Sequence, residues 1–392
     1  MRIALFHNVY SHLGGEERVV DFQEKTFTDA GHVVERYEVR NEEVFSGSRL
    51  NTLAAAWHAP WNPSSHRAVG RFVEAFRPDL AHVHNWFPLL SPSLHDAVKG
   101  RGVPIVQSLH NYRLGCASAV LRRRGENCTA CLDGSRLRGV LSGCYRGSRV
   151  ASFAWYRVMQ RAWKSGVLTE RIDAYLAPSH TVADLHAKMG LPYERLHVIP
   201  HACEDPRTEI GDVKRQGGGV FVGRLTPEKG LTLLLEAWRD LPSPLQVVGS
   251  GPAEDELRAA AASSTSIQAH GWMHRTQVLE TIAGADFLVF PSTWPEPFGQ
   301  VLIEAMALGR PVIASRLGAP TEIIDEGETG LLVDPEDPAA LTVACRRLLD
   351  DPALCRRMGE RARQAYEERH APGAYLDSME SLHRSLVTER AA

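Results

Sequence analysis

Short apolar segments alternate with amphipathic segments along the whole chain of 392 residues. In such a pattern each apolar segment is a buried parallel strand, and each amphipathic segment is a helix that crosses back over the sheet. The alternation is completed twice, so two doubly wound parallel sheets are expected. The predicted fold class is therefore α/β, with two Rossmann-like domains.

The alternation also predicts where the individual elements lie. In the first half, strands are predicted at 3–7, 33–37, 80–84, 103–109, 174–177 and 196–199, and helices near 17–30, 66–76, 92–99, 150–166 and 179–189. In the second half, strands are predicted at 219–222, 245–248, 267–270, 287–290 and 311–314. The polar segment 203–218, which runs into consecutive glycines, is the expected linker between the two halves.

The segment WPEPFGQVLIE, residues 294–304, carries two glutamates around a Phe-Gly turn that opens a helix. Glu296 and Glu304 can accept hydrogen bonds from ribose and sugar hydroxyls. Between them lie backbone N–H groups without an intrahelical partner, which suit a diphosphate: those near Phe298, Gly299 and Gln300. The alternative interpretation is that Glu296 is a turn residue and Glu304 a solvated helix position.

The segment VFVGRLTPEKG, residues 220–230, predicts a strand, a turn and the start of a helix. The turn carries Gly223, Arg224 and Lys229 at the carboxyl end of the strand. An Arg and a Lys in this position can clamp a diphosphate, the Arg as a planar fork and the Lys as a mobile point charge. Either cation alone would more often be a solvated loop residue.

Together these two segments resemble the nucleotide-sugar-binding half of retaining glycosyltransferases of family 4, which have the GT-B fold. The family pattern is a Gly-Arg turn with a following Lys, and then Glu, seven residues and Glu. The resemblance implies two Rossmann-like domains facing a central cleft. The implied boundaries are 1–204 for an acceptor-binding domain, 205–370 for a nucleotide-sugar-binding domain, and 371–392 for a last helix that returns to the first domain.

The resemblance also implies roles for the donor-binding residues. Arg224 and Lys229 would neutralise the donor diphosphate, Glu304 would hold the ribose, and Glu296 would contact the transferred sugar. The turn at Gly223 and the backbone of Phe298, Gly299 and Gln300 would lie against the donor. Family members often have Gly-Gly-x-Pro-Glu in a later loop, but here residues 316–322 read RLGAPTE, which departs from that pattern.

In the first half, the resemblance assigns His110 and the glycines Gly14 and Gly15. His110 follows a predicted strand and matches the family histidine near the anomeric carbon, although a lone His after a strand is usually a local hydrogen-bonding residue. Gly14 and Gly15 match the glycine loop before the first helix, although any tight strand–helix turn would use them. The Gly249-Ser250-Gly251 turn lacks the third glycine of a dinucleotide fingerprint, so hydride transfer is not expected.

The implied reaction is transfer of a glycosyl group from a nucleoside diphosphate sugar to a hydroxyl of a glycan, a lipid-linked or a small-molecule acceptor, with retention. No Asp-x-Asp metal motif stands in the donor half, so no catalytic cofactor is expected.

Two other classes of function stay open. One is a nucleotide-sugar epimerase or hydrolase on the same fold. The other is a zinc-stapled nucleic-acid-binding protein, suggested by the cysteines and the run of three arginines at 122–124; the acidic remainder of the chain favours no nucleic-acid partner.

An insertion at 111–150 contains a C-x11-C-x2-C-x12-C arrangement in a loop that lacks apolar periodicity: Cys116, Cys128, Cys131 and Cys144. Such a loop cannot hold itself together with a core, whereas four thiolates around a structural Zn²⁺ would do so. Zinc is favoured over free thiols, redox-labile pairs or an iron–sulfur cluster. By the resemblance, this insertion marks a four-cysteine subgroup of the family.

Basic charge is concentrated in one region, although the formal net charge of the chain is only −3. Residues 113–171 hold 12 Arg or Lys against three acidic residues, whereas the remainder holds 32 basic and 44 acidic residues. The predicted helix within 146–166 interleaves arginines with aromatic residues, which suits an anionic membrane surface as well as it suits a solvated face over a core stripe. No signal peptide or membrane span is visible, so a cytoplasmic protein, peripheral at the inner membrane face, is expected.

Overall fold

The computed structural model describes residues 1–9, 14–41 and 57–391. The chain forms two compact units. Unit 1 comprises Met1–Ile199 together with Leu376–Ala392, and unit 2 comprises Pro200–Tyr375. Each unit contains its own six-stranded sheet, in which all paired strands are parallel.

Unit 1 is built on a sheet with the strand order β2-β1-β3-β4-β7-β8. The strands of this sheet are β1 (Arg2–Val9), β2 (Val33–Arg40), β3 (Leu80–Asn85), β4 (Ile105–Ser108), β7 (Ala174–Ala177) and β8 (Leu196–Val198). Its main helices are α1 (Gly15–Asp29), α2 (Pro63–Phe76), α3 (Ser93–Lys99), α5 (Arg149–Lys164) and α6 (His180–Met189). Within the insertion lie a two-stranded hairpin, β5 (Arg122–Arg123) with β6 (Glu126–Asn127), and the short helix α4 (Leu137–Leu141).

Unit 2 is built on a sheet with the strand order β11-β10-β9-β12-β13-β14. Its strands are β9 (Gly219–Val222), β10 (Leu245–Val248), β11 (Ile267–Gly271), β12 (Phe287–Phe290), β13 (Val312–Ser315) and β14 (Gly330–Val333). Its helices are α7 (Leu231–Trp238), α8 (Glu254–Ser263), α9 (Arg275–Gly284), α10 (Gln300–Ala307), α11 (Pro320–Ile323), α12 (Pro338–Asp350) and α13 (Pro352–Arg369).

The predicted fold class, two doubly wound parallel sheets, is confirmed. Strands β7 and β12, each paired on both sides, are buried at every position, as expected for a parallel sheet with helices on both faces. The prediction omitted β14, because periodicity alone does not separate so short an apolar run from a buried loop. The hairpin and α4 were also not predicted, since the insertion was expected to be irregular.

The segment predicted as a linker belongs to unit 2. The Tyr366 hydroxyl donates to the carbonyl of Cys203 over 2.9 Å, and Asp205 pairs with Arg363 at 2.7 Å. A polar, glycine-ended segment looks like a linker in sequence, but these contacts tie its first half to α13. The boundary between the units lies at 199/200.

The last helix, α14 (Pro372–Ala391), belongs to unit 1 from Leu376 onward. Its His383 is fully buried, with the ring 5.3 Å from that of Phe27 and 6.1 Å from that of His82. Glu380 of the same helix accepts a 2.9 Å hydrogen bond from His32. Unit 1 is therefore assembled from two separate parts of the sequence.

Candidate functional site

The strand order of unit 2 contains one point at which the direction of winding reverses. From β9 the chain first adds β10 and β11 on one side, and then returns to add β12, β13 and β14 on the other. Ligands of doubly wound sheets bind beyond the carboxyl ends of the strands at such a switch point, here between β9 and β12. Both sequence motifs of the second half begin there.

The turn after β9 is held by the turn after β10. The N–H of Gly223 donates to the carbonyl of Val248 over 3.0 Å, and that of Leu225 donates to Ser250 over 2.9 Å. A Cβ atom on Gly249 would lie 1.8 Å from the carbonyl oxygen of Gly223. The Gly-Ser-Gly turn therefore supports the Gly-Arg turn by close backbone contact. Arg224 leaves this turn with an exposed side chain, 3.4 Å from Glu228.

Lys229 and Glu296 form a buried ion pair across the switch point. Lys229 ends a 3-10 turn, Pro227–Lys229, and its Nζ lies 2.8 Å from Oε1 and 2.9 Å from Oε2 of Glu296. Oε2 of Glu296 also accepts from Ser292 Oγ over 2.9 Å and from Trp294 Nε1 over 2.7 Å. Glu296 is only 5% exposed, so its orientation is fixed.

Helix α10 begins at the Phe-Gly turn between the two glutamates. Gly299, the residue before it, has φ = 96°, a conformation that favours glycine. The Phe298 ring is buried edge-on between His201 and His370, at centroid distances of 5.0 and 5.8 Å. Phe298 thereby anchors the turn. The N–H groups of Gln300 and Val301 open the helix without an acceptor in a preceding turn, whereas that of Leu302 donates to the Gly299 carbonyl over 2.9 Å.

The RLGAPTE loop contacts Glu296 through its backbone. The N–H of Ala319 donates to the Glu296 carbonyl over 2.9 Å, and Gly318 forms a parallel bridge with Glu296. A Cβ atom at Gly318 would lie 2.5 Å from the Glu296 nitrogen, so the close approach requires glycine there. Although the loop departs from the family pattern, it supports the first glutamate.

Glu304 has a basic partner of its own. Its side chain is 2% exposed, and Oε1 accepts a 2.6 Å hydrogen bond from Arg275, the first residue of α9. The structure thus places the two glutamates of the motif in two separate ion pairs, one with Lys229 and one with Arg275. The predicted contacts of Glu296 and Glu304 with a donor remain predictions.

In unit 1, His110 lies just beyond β4 and contacts a second histidine. The Nε2 atom of His110 is 3.1 Å from Nδ1 of His84, at the end of β3, and the two rings stack with centroids 5.3 Å apart. Both rings line a small pocket together with Glu16, Gln107 and Arg113. Because β3 and β4 are adjacent, their carboxyl ends bring the two histidines together.

The start of α1 forms another wall of unit 1's polar region. Gly14 precedes the helix and its N–H donates to Glu17 Oε2 over 2.7 Å, while Gly15 is the first helical residue. Although burial opposes the charged form, hydrogen bonds from His7 and Gly14 lower the pKa of the Glu17 carboxyl. Burial and the neighbouring Glu17 raise the pKa of Glu16 well above its ordinary value.

The four cysteines of the insertion are free thiols. Burial, and after it the charge of Cys116, raises the pKa of the Cys131 thiol to about 11. Among the residues that the structure describes, however, no three or more His, Cys, Asp or Glu side chains are arranged so that they could hold a metal ion. The predicted tetrahedral ligand set is not formed.

Several residues of these sites were not predicted from the sequence: Glu16, Glu17, His84, Arg113, Arg275, Ser292 and Trp294. A signal existed for His84, which ends a strand next to the one that precedes His110. For Arg275 no local signal existed, since its partner Glu304 lies in another helix. In the described part of the chain, no helix has both the length and the apolar character needed to cross a membrane.

Two family models match the chain, one on each half. The model described as Glycosyltransferase Family 4 matches residues 13–205. The model described as Glycosyl transferases group 1 matches residues 214–365. The second match contains the whole set of donor-binding residues that was predicted in unit 2.

Curated relatives include the glycogen synthase of Mycobacterium tuberculosis, 29% identical over 308 residues, which covers 74% of this chain and 64% of that protein. The alpha-D-kanosaminyltransferase of Streptomyces kanamyceticus is 26% identical over 52% of this chain and 58% of that protein. The matched part of the chain thus spans less than two thirds of either relative. Neither relative is named as an epimerase or as a nucleic-acid-binding protein.

Solved structures with the same fold include Anabaena HepE in complex with UDP. It superposes with a TM-score of 0.71 at 17% identity and covers 98% of this chain and 100% of that one. At this level of identity, the likeness shows the fold alone. The UDP-glucose complex of the same protein gives a TM-score of 0.69.

Proposed function

Because this chain belongs to the glycosyltransferases that the two family models describe, with the GT-B fold, we propose that it transfers a sugar from a nucleoside diphosphate sugar to an acceptor hydroxyl with retention. The observation that carries the proposal is the pairing of Lys229 with Glu296 at the switch point of unit 2. A cation and a carboxylate held together there provide one group for a diphosphate and one for sugar hydroxyls.

The donor would extend along the motif that surrounds this pair. Arg224 and Lys229 would neutralise the diphosphate, and the backbone of 298–300 would donate to it at the start of α10. Glu304 would accept hydrogen bonds from the ribose, and Glu296 from the transferred sugar. A buried side-chain oxygen at the same helix start, Gln300 Oε1, has no hydrogen-bond partner among the described residues, which also supports a ligand there.

Catalysis in this proposal is mainly electrostatic. The bond between the anomeric carbon and the donor phosphate oxygen breaks while the acceptor oxygen bonds to the same face of that carbon. The acceptor proton passes to the leaving phosphate, so no protein nucleophile is required. Arg224 and Lys229 stabilise the charge that develops on the diphosphate. By the family resemblance, His110, Gly14 and Gly15 would act on the transferred sugar. No catalytic cofactor is needed. The pathway we propose is polysaccharide, glycolipid or glycosylated-metabolite synthesis.

A donor screen tests this proposal. Purified protein is mixed with UDP-, GDP-, ADP- and dTDP-sugars, and its melting temperature and the release of nucleoside diphosphate are followed. We expect one nucleotide to stabilise the protein and Arg224→Ala to weaken that response, with Lys188→Ala in unit 1 as the surface control. If free sugar forms without any acceptor, a hydrolase is indicated. If no nucleotide stabilises the protein, the assignment of the donor site to unit 2 is wrong.

We further propose that unit 1 docks on an anionic membrane surface, as a cytoplasmic enzyme with a lipid-linked acceptor would. Large apolar side chains are exposed on α4 and α5: Leu141 is 65% exposed, Val150 82% and Phe153 49%. Arg149 joins the two helices by donating to the Leu141 carbonyl over 3.1 Å. Exposed apolar groups among arginines are typical of interfacial helices.

The membrane proposal predicts binding to vesicles that contain phosphatidylglycerol. A Val150→Glu/Phe153→Glu variant is expected to reduce sedimentation with these vesicles by about tenfold or more, because apolar contact is lost and negative charge is added. Val343→Glu, at a valine of unit 2 that is 68% exposed, is the matched control. Equal binding by both variants and the wild type would exclude this surface.

The four thiols of the insertion remain the proposed ligands of a structural Zn²⁺. The support is the chemistry of the donor set, because the insertion holds four of the chain's seven cysteines and thiolates are preferred ligands of Zn²⁺. We expect purified protein to contain about one Zn²⁺ per chain and Cys131→Ser to lose it, whereas Cys355→Ala retains it. Metal-free protein with four reactive thiols in the insertion would refute the site.

A further inference from the structure

The buried carboxylate of Glu304 is held by a side chain from a neighbouring helix. Arg275 donates from one terminal nitrogen to Glu304 Oε1 over 2.6 Å. The two residues are 29 positions apart, so the contact depends on the packing of α9 against α10 and not on local sequence. A buried carboxylate requires a cationic or hydrogen-bonding partner, and here the partner is a rigid, planar one.

Arg275 is itself fixed on its other edge. Its Nε and second terminal nitrogen donate to the two carboxylate oxygens of Glu209 over 2.8 and 2.9 Å. Although partial burial opposes the charged form, the hydrogen bond with Glu209 and the charge of Glu304 raise the pKa of Arg275 above its ordinary value. The guanidinium group therefore stays charged and bridges two carboxylates, with Glu209 supporting it from behind.

We propose that Arg275 is a positioning residue for donor recognition, which orients the Glu304 carboxylate toward the ribose hydroxyls, and that Glu209 fixes Arg275. This inference rests on the proposed function. A carboxylate oxygen has more than one acceptor position, so Glu304 can bond to Arg275 and still accept from a ribose hydroxyl. Because Arg275 sets the direction of these acceptor positions beforehand, less ordering is required when the donor binds.

Removal of a hydroxyl from the nucleotide distinguishes positioning from a merely structural role. Isothermal titration would compare UDP, GDP or ADP, whichever stabilises the wild type, with its 2′-deoxy and 3′-deoxy forms. Arg275→Gln is expected to weaken binding of the ribonucleotide by about 10- to 50-fold and binding of at least one deoxy form by less than about threefold. The variant should thus lose the wild type's preference for that hydroxyl.

Two further variants test the same inference. Arg275→Lys keeps the charge but loses the planar fork, so we expect it to recover only part of the preference. Arg363→Gln breaks the Arg363–Asp205 pair, which also ties 203–209 to a helix but does not contact Glu304. It should lower the melting temperature without changing the preference for the ribose hydroxyl.

The outcomes separate this inference from the function on which it rests. If Arg275→Gln weakens binding of the ribonucleotide and of both deoxy forms by the same factor, Arg275 has only a structural role and the inference is overturned. Unchanged binding in that variant overturns it as well. If the wild type binds neither these three nucleotides nor dTDP, the proposed donor site itself fails.

Discussion

Replacing Lys229 with methionine is expected to lower kcat/KM for sugar transfer by about 10²- to 10³-fold, because the developing diphosphate charge loses a cation held in place. The same change should reduce the free energy of unfolding of unit 2 by about 3 kcal/mol or more. It leaves the buried Glu296 carboxylate without its ion-pair partner. Initial rates of nucleoside diphosphate release and thermal denaturation measure the two effects.

A second substitution separates the two effects of Lys229. In Lys229→Met/Glu296→Gln, the side-chain oxygen of the glutamine can still accept from Ser292 and Trp294, and no charge is buried. We expect the stability to return to within about 1 kcal/mol of wild type while transfer stays low. Lys25→Met breaks the exposed Lys25–Asp29 pair and serves as the control, with an expected change below about 1 kcal/mol. Transfer within fivefold of wild type in Lys229→Met would exclude a role for this lysine.

Gly249→Ala should be among the most destabilising glycine substitutions near the donor site. The added Cβ would lie 1.8 Å from the Gly223 carbonyl oxygen, and φ is +143° at this position. Both the clash and the backbone conformation disfavour alanine, so we expect a loss of about 3 kcal/mol or more in unit 2. Any relaxation would displace the Gly223–Arg224 turn and weaken nucleotide binding.

Two glycines of unit 2 allow the two causes to be measured separately. An added Cβ would meet nothing within 4 Å at Gly271, where φ is +68°, so Gly271→Ala reports the backbone conformation alone. Gly211 has neither a close neighbour nor a positive φ and should tolerate alanine. The expected order of melting temperatures is Gly211→Ala, Gly271→Ala, Gly249→Ala, from high to low. If Gly249→Ala and Gly271→Ala have the same melting temperature, the close contact of the added Cβ with the Gly223 carbonyl does not affect stability.

The fold was largely predictable because strands that are buried on both faces appear in the sequence as short, continuous apolar runs. Residues 287–290 are entirely apolar, residues 174–177 are apolar apart from the Tyr175 hydroxyl, and both strands were predicted at their observed bounds. The short β14 gave no such pattern, and the segment 203–218 was misleading. Its polar composition indicates exposure, and half of its residues are exposed, but Asp205 and Glu209 also pair with arginines of α13 and α9 and so tie the segment to unit 2.

The candidate site was predictable where its residues share one local motif, and not where they meet through the fold. Glu296 and Glu304 are recognised from their spacing around Gly299. Their partners Lys229 and Arg275 lie 67 and 29 positions away, at distances that no periodicity encodes. Lys229 was singled out for its place after a strand, but its pairing with Glu296 follows only from the strand order of unit 2.

The division of unit 1 has a consequence for synthesis on the ribosome. Residues 376–392 supply the helix that carries His383 into the interior of unit 1, and they are made only after all of unit 2. The nascent amino-terminal half must therefore wait, with the apolar surface around Phe27 and His82 uncovered, while 176 further residues are translated. Unit 2 is continuous in sequence and can complete its core first, so the second half of this protein is expected to be the first to finish folding.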